Sequence, residues 1–213
     1  RNRDSPGASL TTQVIVDRRD PAFRNPTTPS GPFYTAEEAG KLEQEKGYVM
    51  REDAGRGWRR VVPSPLPQKI VEIGAVRLLW DHAIVITCGG GGVPVVENPD
   101  GTLEGVAAVI DKDFAAELLA EEVGADALLI LTEVEKVAIH FGQPGQQDLD
   151  HLSLAEAARY VREGHFGAGS MLPKVEAAMK FVRANPGKKA IITSLDKALE
   201  ALDGKTGTVV TFA

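Results

Sequence analysis

Apolar residues follow two alternating rhythms along the chain. Short runs rich in β-branched and other apolar residues, AIVIT (83–87), VPVV (93–96), ALLILT (127–132), KAIITS (189–194) and GTVVTF (207–212), predict strands, with AIVIT of the fully buried type. Between them apolar positions recur at helical spacing, as with Phe114, Leu118, Leu119 and Val123. That spacing predicts helices over 69–80, 114–123 and 154–163, and another opening at Pro173, a residue suited to a first helical position. Buried strands alternating with amphipathic helices imply an α/β domain built on a parallel sheet covered on both faces.

The first third of the chain has a different texture. SLTTQVIV, ending at Val16, reads as one strand, and DRRDPAFRNPTTPSGPF after it carries four prolines, which exclude a regular helix or a central strand and predict a long, stiff connection. Thr35 with Glu38 three residues on is a capping box for the polar helix AEEAGKLEQEK, and Gly47 is placed to end it. YVMRED and GWRRVVP read as short strands around a glycine-containing turn. Together these segments suggest a small satellite unit over residues 20–63, leaving 1–19 and 64–213 as the rest of the organisation.

Composition narrows the function. The 213 residues are 43% hydrophobic and 25% charged, enough for a real core, and the net charge of −6 with dispersed Lys and Arg gives no electrostatic footprint for nucleic acid or an anionic membrane. Any bound anion must be held by a local site. One cysteine, Cys88, forbids an internal disulfide, and no apolar run approaches the roughly 20 residues of a membrane span. A cytoplasmic protein is expected. The four histidines show no metal-ligand spacing among themselves or with Cys88, so no metal site made of protein side chains is expected.

Three stretches carry candidate chemistry. ITCGGGGVPV places Gly89, Gly90, Gly91 and Gly92 at the C-terminal end of a predicted strand, where an open α/β sheet binds ligands; the run reads equally as an anion cradle of backbone amides or as a tight turn. VIDKDFAAELLAEEVGAD sets Asp111, Lys112 and Asp113 at a helix start. A lysine beside the positive end of the helix dipole is mildly unfavourable unless an anion is present, although a solvated side chain is the competing reading. HFGAGSMLPKVEAAMKFV puts a glycine–serine loop before Lys174 in the opening turn of another helix. Two lysines and a glycine loop suit phosphoryl transfer, in which catalysis is mostly positioning and electrostatics.

Together GWRRVVPSP, CGGGGVPVV, GVAAVIDKDFAAELLAEEVGADALLILT, HFGAGSMLPKVEAA and AIITSL resemble the carbamate kinases of the amino-acid kinase superfamily, from about Thr12 to the C-terminus. The resemblance implies a three-layer α/β/α sandwich around a mainly parallel sheet, with residues 20–63 as a protruding lid subdomain, 64–213 as the nucleotide-binding domain and 1–19 as the end of a carbamate-binding half. It implies a homodimer that transfers a phosphoryl group reversibly between ATP with carbamate and ADP with carbamoyl phosphate, with Mg2+, in arginine fermentation. Lys112 and Lys174 would contact the nucleotide phosphates, Asp113 would organise the lysines, and Gly89, Gly90 and Gly91 would line the phosphoryl path. Asp111, Ser170, Met171 and Pro173 would lie along the nucleotide, and Thr132, Val134 and Val137 would flank the adenine.

The sequence departs from the family in two respects. Family members carry a further N-terminal third, with glycine-rich segments that hold carbamate and the transferred phosphoryl. The family usually reads NPTKPIGPF where this sequence reads NPTTPSGPF, so Thr28 stands where a lysine would reach in from the lid. These departures imply nucleotide binding with little turnover by the 213 residues alone. They also leave open a non-catalytic nucleotide-binding or dimerisation module. An acetylglutamate-kinase-like enzyme is disfavoured by DKDFAAELLA followed by GSMLPK.

Overall fold

The structure, a computed structural model, describes residues 5–213, so the first four residues of the predicted 1–19 segment lie outside it. In chain order the elements are β1 (Gly7–Ser9), β2 (Gln13–Val16), β3 (Thr28–Tyr34), α1 (Ala36–Lys46), β4 (Val49–Glu52), β5 (Trp58–Val62), β6 (Pro67–Ile70), α2 (Ile73–Leu79), β7 (Ile84–Ile86), β8 (Val93–Glu97) and β9 (Leu103–Gly105). There follow α3 (Lys112–Glu122), β10 (Ala127–Thr132), β11 (Val137–Ile139), β12 (Gln147–Leu149), β13 (His151–Ser153), α4 (Leu154–Arg162), α5 (Met171–Ala184), β14 (Lys189–Ser194), α6 (Ala198–Leu202) and β15 (Thr208–Thr211). The chain divides into two compact units. One takes in residues up to Glu72 together with Ala83–Lys112; the other comprises Ile73–His82 and Asp113–Ala213.

The first unit contains a four-stranded sheet of order β6-β2-β8-β9, in which β2 and β8 run parallel and the outer pairs antiparallel. Val14, Ile15 and Val16 of β2 are all buried, as its central place requires. A three-stranded sheet of order β3-β5-β4 accompanies α1. The proline-rich stretch therefore holds more than a connection, because it ends in β3. That strand lies at the sheet edge, where Pro29 and Pro32 forfeit no ladder hydrogen bond to a second neighbour, and its register with β5 shifts between Ser30 and Tyr34. The capping box forms as expected: the Glu38 amide donates to Thr35 Oγ1 at 3.2 Å and the Thr35 amide donates to Glu38 Oε2 at 2.8 Å. Gly47 closes α1 in the left-handed region, at φ +65°.

Three local expectations in the first half of the chain need correction. SLTTQVIV is two strands, β1 and β2, which join different sheets. The helix expected from Lys69 begins only at Ile73, because residues 67–70 pair with β2 as β6 and Ile70 is fully buried there. AIVIT is not a buried strand. Among the described residues β7 pairs with β1 alone, and Ile84 and Ile86 are 58% and 60% exposed.

The second unit is organised on a sheet of order β10-β14-β15-β13, with β10/β14 and β13/β15 parallel and β14/β15 antiparallel. α5 packs on it because Val175, Ala178 and Val182 recur at helical spacing, and with Ala177 and Phe181 they reach zero exposure among Leu128, Ile130, Ala190 and Ile192. α4 starts at a second capping box, Ser153 with Glu156. α5 opens at Met171, so Pro173 is its third residue and not its first. It is tolerated there because amides of the first turn have no partner within the helix.

Candidate functional site

The C-terminal ends of β10 and β14 in the second unit are where an open α/β sheet presents ligands. Thr132 ends β10, and beyond it a cleft of about 240 Å³ opens between the segment following that strand and the loop leading into α5. Val134, Ala138, Phe141, Phe166 and Met171 supply its apolar walls, with Lys136, His165, Gly167 and Ser170 adding polar groups. That volume falls below the roughly 300–1,000 Å³ of pockets that enclose a whole drug-sized ligand, so the cleft suits one planar ring of a larger molecule. Lys136 forms an ion pair at 2.5 Å with Asp150, and the hydrogen bond that its ammonium donates to that carboxylate raises its pKa, which keeps the lysine charged at neutral pH. His165 packs edge-on against His140 and Tyr160, with ring centroids 4.6 and 5.4 Å away, and this fixes its ring at the cleft wall.

One turn into α5 from the cleft, the Lys174 ammonium donates to Asp113 Oδ2 at 2.8 Å. Asp113 is in the first turn of α3, and the two side chains are only 9% and 10% exposed. A buried pair of this kind is held by mutual charge and hydrogen bonding. It fixes a cation at the start of α5, next to the end of the cleft formed by Ser170 and Met171. Lys112, the first residue of α3, is exposed, and Asp111 before it is half-buried.

In the first unit the glycine run forms a tight turn, Gly89–Gly91, entered through Cys88 at φ +54°. Glycine is required there for two different reasons. Gly90, at φ +66°, has nothing within 4 Å of where a Cβ would project, so only its backbone angle demands glycine. At Gly91 a Cβ would lie 2.1 Å from the Ile110 carbonyl oxygen, and at Gly92 it would lie 2.5 Å from Val14 Cγ2. These two let the turn approach neighbouring chain closely. Gly89 and Gly92, with Thr11, Thr12 and Thr87, border a second cleft of about 280 Å³. The run is thus a tight turn and a cleft wall together.

The expected site residues divide accordingly. Thr132, Val134, Ser170 and Met171 line one cleft, and Asp113 and Lys174 form one ion pair. Val137 does not flank that cleft. It is fully buried in the core, where its amide donates to Thr208 Oγ1 at 2.8 Å, because on an extended strand only alternate side chains can face one surface. Pro173 is half-buried in the first turn of α5 and does not line the cleft. Thr28, at the start of β3, pairs with Val62. Sequence reasoning missed Lys136, Phe141, His165 and Phe166. The last two stand in the HFGAGS stretch already singled out, whereas no spacing marked Lys136 or Phe141. Among the described residues, no group of three or more His, Cys, Asp or Glu could hold a metal ion.

Comparison with known proteins gives concordant results. Residues 29–194 match the family model described as the amino acid kinase family. A carbamate kinase of Clostridium perfringens is 59% identical over 203 residues, covering 95% of this chain and 64% of the relative. A carbamate kinase-like protein, YqeA, of Escherichia coli is 55% identical, covering 99% of this chain and 67% of the relative. The carbamate kinase of Giardia lamblia bound to AMP-PNP superposes with a TM-score of 0.91 at 45% identity, covering 99% of this chain and 66% of that one. The chain thus spans roughly two-thirds of the length of the proteins it matches, 64% in the case of the Clostridium perfringens enzyme.

Proposed function

The chain belongs to the amino acid kinase family, and from that premise we propose that it carries the nucleotide-binding part of a carbamate kinase, which moves a phosphoryl group between ATP with carbamate and ADP with carbamoyl phosphate. The observation that carries the reading is the buried Lys174–Asp113 pair, one helical turn from a cleft sized for a single ring. The base of ADP or ATP occupies that cleft, and its phosphates meet Lys174. The carboxylate of Asp113 keeps the Lys174 side chain aimed before the nucleotide arrives, so little reorganisation is needed when negative charge develops on the transferred oxygens. In the synthetic direction a carbamate oxygen attacks the γ-phosphorus, the bridging bond to the β-phosphate breaks, and ADP leaves.

Lys112, adjacent in sequence to Asp113, is assigned as a second phosphate-neutralising cation, and the glycine turn is assigned to the transferred group. Mg2+ belongs to the proposal as an ion that would be carried largely on phosphate oxygens, as is usual where Mg2+ serves phosphoryl transfer. Homodimer formation, a cytoplasmic location and a place in arginine fermentation are parts of the same proposal. Among the described residues, no helix is long and apolar enough to cross a membrane.

The test is calorimetric titration of ADP into the chain and into Lys174→Met. Loss of a charge-assisted contact should weaken ADP on the order of tenfold to a hundredfold. Equal affinities would overturn the assignment. Acceptor identity is read by formation of ATP from ADP with carbamoyl phosphate against acetyl phosphate, using the chain extended at its N-terminus by the corresponding part of a carbamate kinase.

A further inference from the structure

A second carboxylate–lysine contact joins α3 to α5, and it is built differently from the first. Glu117, one turn after Asp113, has no exposed surface, and its Oε2 accepts from Lys180 Nζ at 2.5 Å. Its Oε1 is buried without a hydrogen bond among the described residues. Lys180 is 44% exposed and lies 3.5 Å from Glu121 as well, one further turn along α3. Two rungs therefore link the helices: a closed one, Asp113–Lys174, and a half-satisfied one, Glu117–Lys180, whose lysine has an alternative carboxylate at hand.

We propose that Glu117 is a proton-controlled positioning residue, whose ionised carboxylate holds Lys180 and so sets α5 against α3 at the height that presents Lys174 to its ligand. Glu117 touches neither cleft. It acts through the helices, which are stiff enough to carry a small sliding motion from the rung at Lys180 to the one at Lys174. A displacement of about 1 Å suffices to spoil a positioned contact.

The surroundings bring the proton equilibrium into the neutral range. Burial pushes the Glu117 carboxyl up from 4.5 to about 7, opposed by the hydrogen bond and charge of Lys180 and reinforced by the charge of Glu121. Lys180 and Glu121 are its charged neighbours; the packed elements also carry Lys112, Asp113 and Glu122 of α3, Lys174, Glu176 and Arg183 of α5, with burial raising the Glu176 carboxyl too, and Arg77 of α2, whose guanidinium donates to the Glu122 carbonyl at 2.6 and 3.2 Å. Protonation removes the charge that holds Lys180, which Glu121 can then take.

The inference rests on the proposed role of Lys174, and the experiment separates the two. ADP affinity is measured by calorimetry from pH 5.5 to 8.5 for the chain, for Glu117→Gln, for Lys180→Met and for Lys174→Met. Dividing the affinity of the chain by that of Glu117→Gln cancels titration of ADP itself. The ratio should stay near one at pH 5.5 and rise to about fivefold at pH 8.5, a coupling of ordinary size. Lys180→Met, which keeps the acid but loses its partner, should match Glu117→Gln at pH 8.5. A ratio independent of pH, while Lys174→Met still weakens ADP, would overturn the inference and leave the proposed function standing. Unaltered ADP affinity in Lys174→Met would instead remove the proposed function, and this inference with it.

Discussion

Replacing Gly91 by Ala tests whether the glycine turn is held by close approach or only by backbone angle. The new Cβ would lie 2.1 Å from the Ile110 carbonyl oxygen, so turn and carbonyl must separate by about 1 Å, and Ile110 is itself buried at 1% exposure. Forced separation in a packed interior costs about 1–3 kcal/mol, and an alanine at φ +104° adds about 1–3 kcal/mol. The total expected is about 2–6 kcal/mol. Gly90→Ala is the internal control, because its Cβ meets nothing within 4 Å and only φ +66° opposes it, at about 1–2 kcal/mol. Urea unfolding should separate the two midpoints by about 1 M, taking a slope of about 2 kcal/mol per molar. Ile110 stands two residues before Lys112, so Gly91→Ala should also disturb the start of α3, seen as faster amide exchange there. Equal midpoints for the two variants would refute the reasoning and reduce the run to a turn that needs glycine only for its angles.

Three other outcomes are expected. Asp113→Asn should cost about 3–5 kcal/mol by taking from the buried Lys174 ammonium its partner at 2.8 Å, and adding Lys174→Met should recover more than half of that loss in denaturant unfolding. The Glu117 carboxyl, raised in the fold from 4.5 to about 7, favours folding while protonated; its contribution is fully present below about pH 4.5 and lost as pH rises to about 7. Glu117→Leu should therefore be the more stable chain at pH 8, by up to about 3 kcal/mol, with the advantage fading at pH 4.5; a constant difference across that window would contradict the shift. Ser153→Ala should remove a capping box from α4 and lower stability by about 1 kcal/mol, measured by thermal unfolding.

Features that depend on residues within about four positions of one another could be read from the chain alone. The box at Thr35 and Glu38, the left-handed Gly47, the helical stripe of α5 and the strands at 127–132 and 189–194 are of this kind, because short-range sterics and hydrogen bonds decide them before any packing occurs. The motif residues of the site were legible in the same way, through a lysine at a helix start and glycines after a strand. What the sequence could not decide is burial and partnership across distance. Asp113 and Lys174 are 61 residues apart, and nothing local marks them as a pair; only the family resemblance linked Asp113 to the lysines. Val137 and Lys136 are neighbours on one strand segment, yet one is sealed in the core and the other lines the cleft, a distinction made only by which face the sheet covers. Ile84 and Ile86 have the composition of an interior strand, yet among the described residues the face of β7 that they share is left largely uncovered. Nothing in the sequence marks Glu117, which stands beside Leu118 on a helix with apolar positions at helical spacing. The packing of α5 against α3 removes it from water and makes it a titrating group, because the free energy of a charge depends on the surroundings that the whole fold assembles around it.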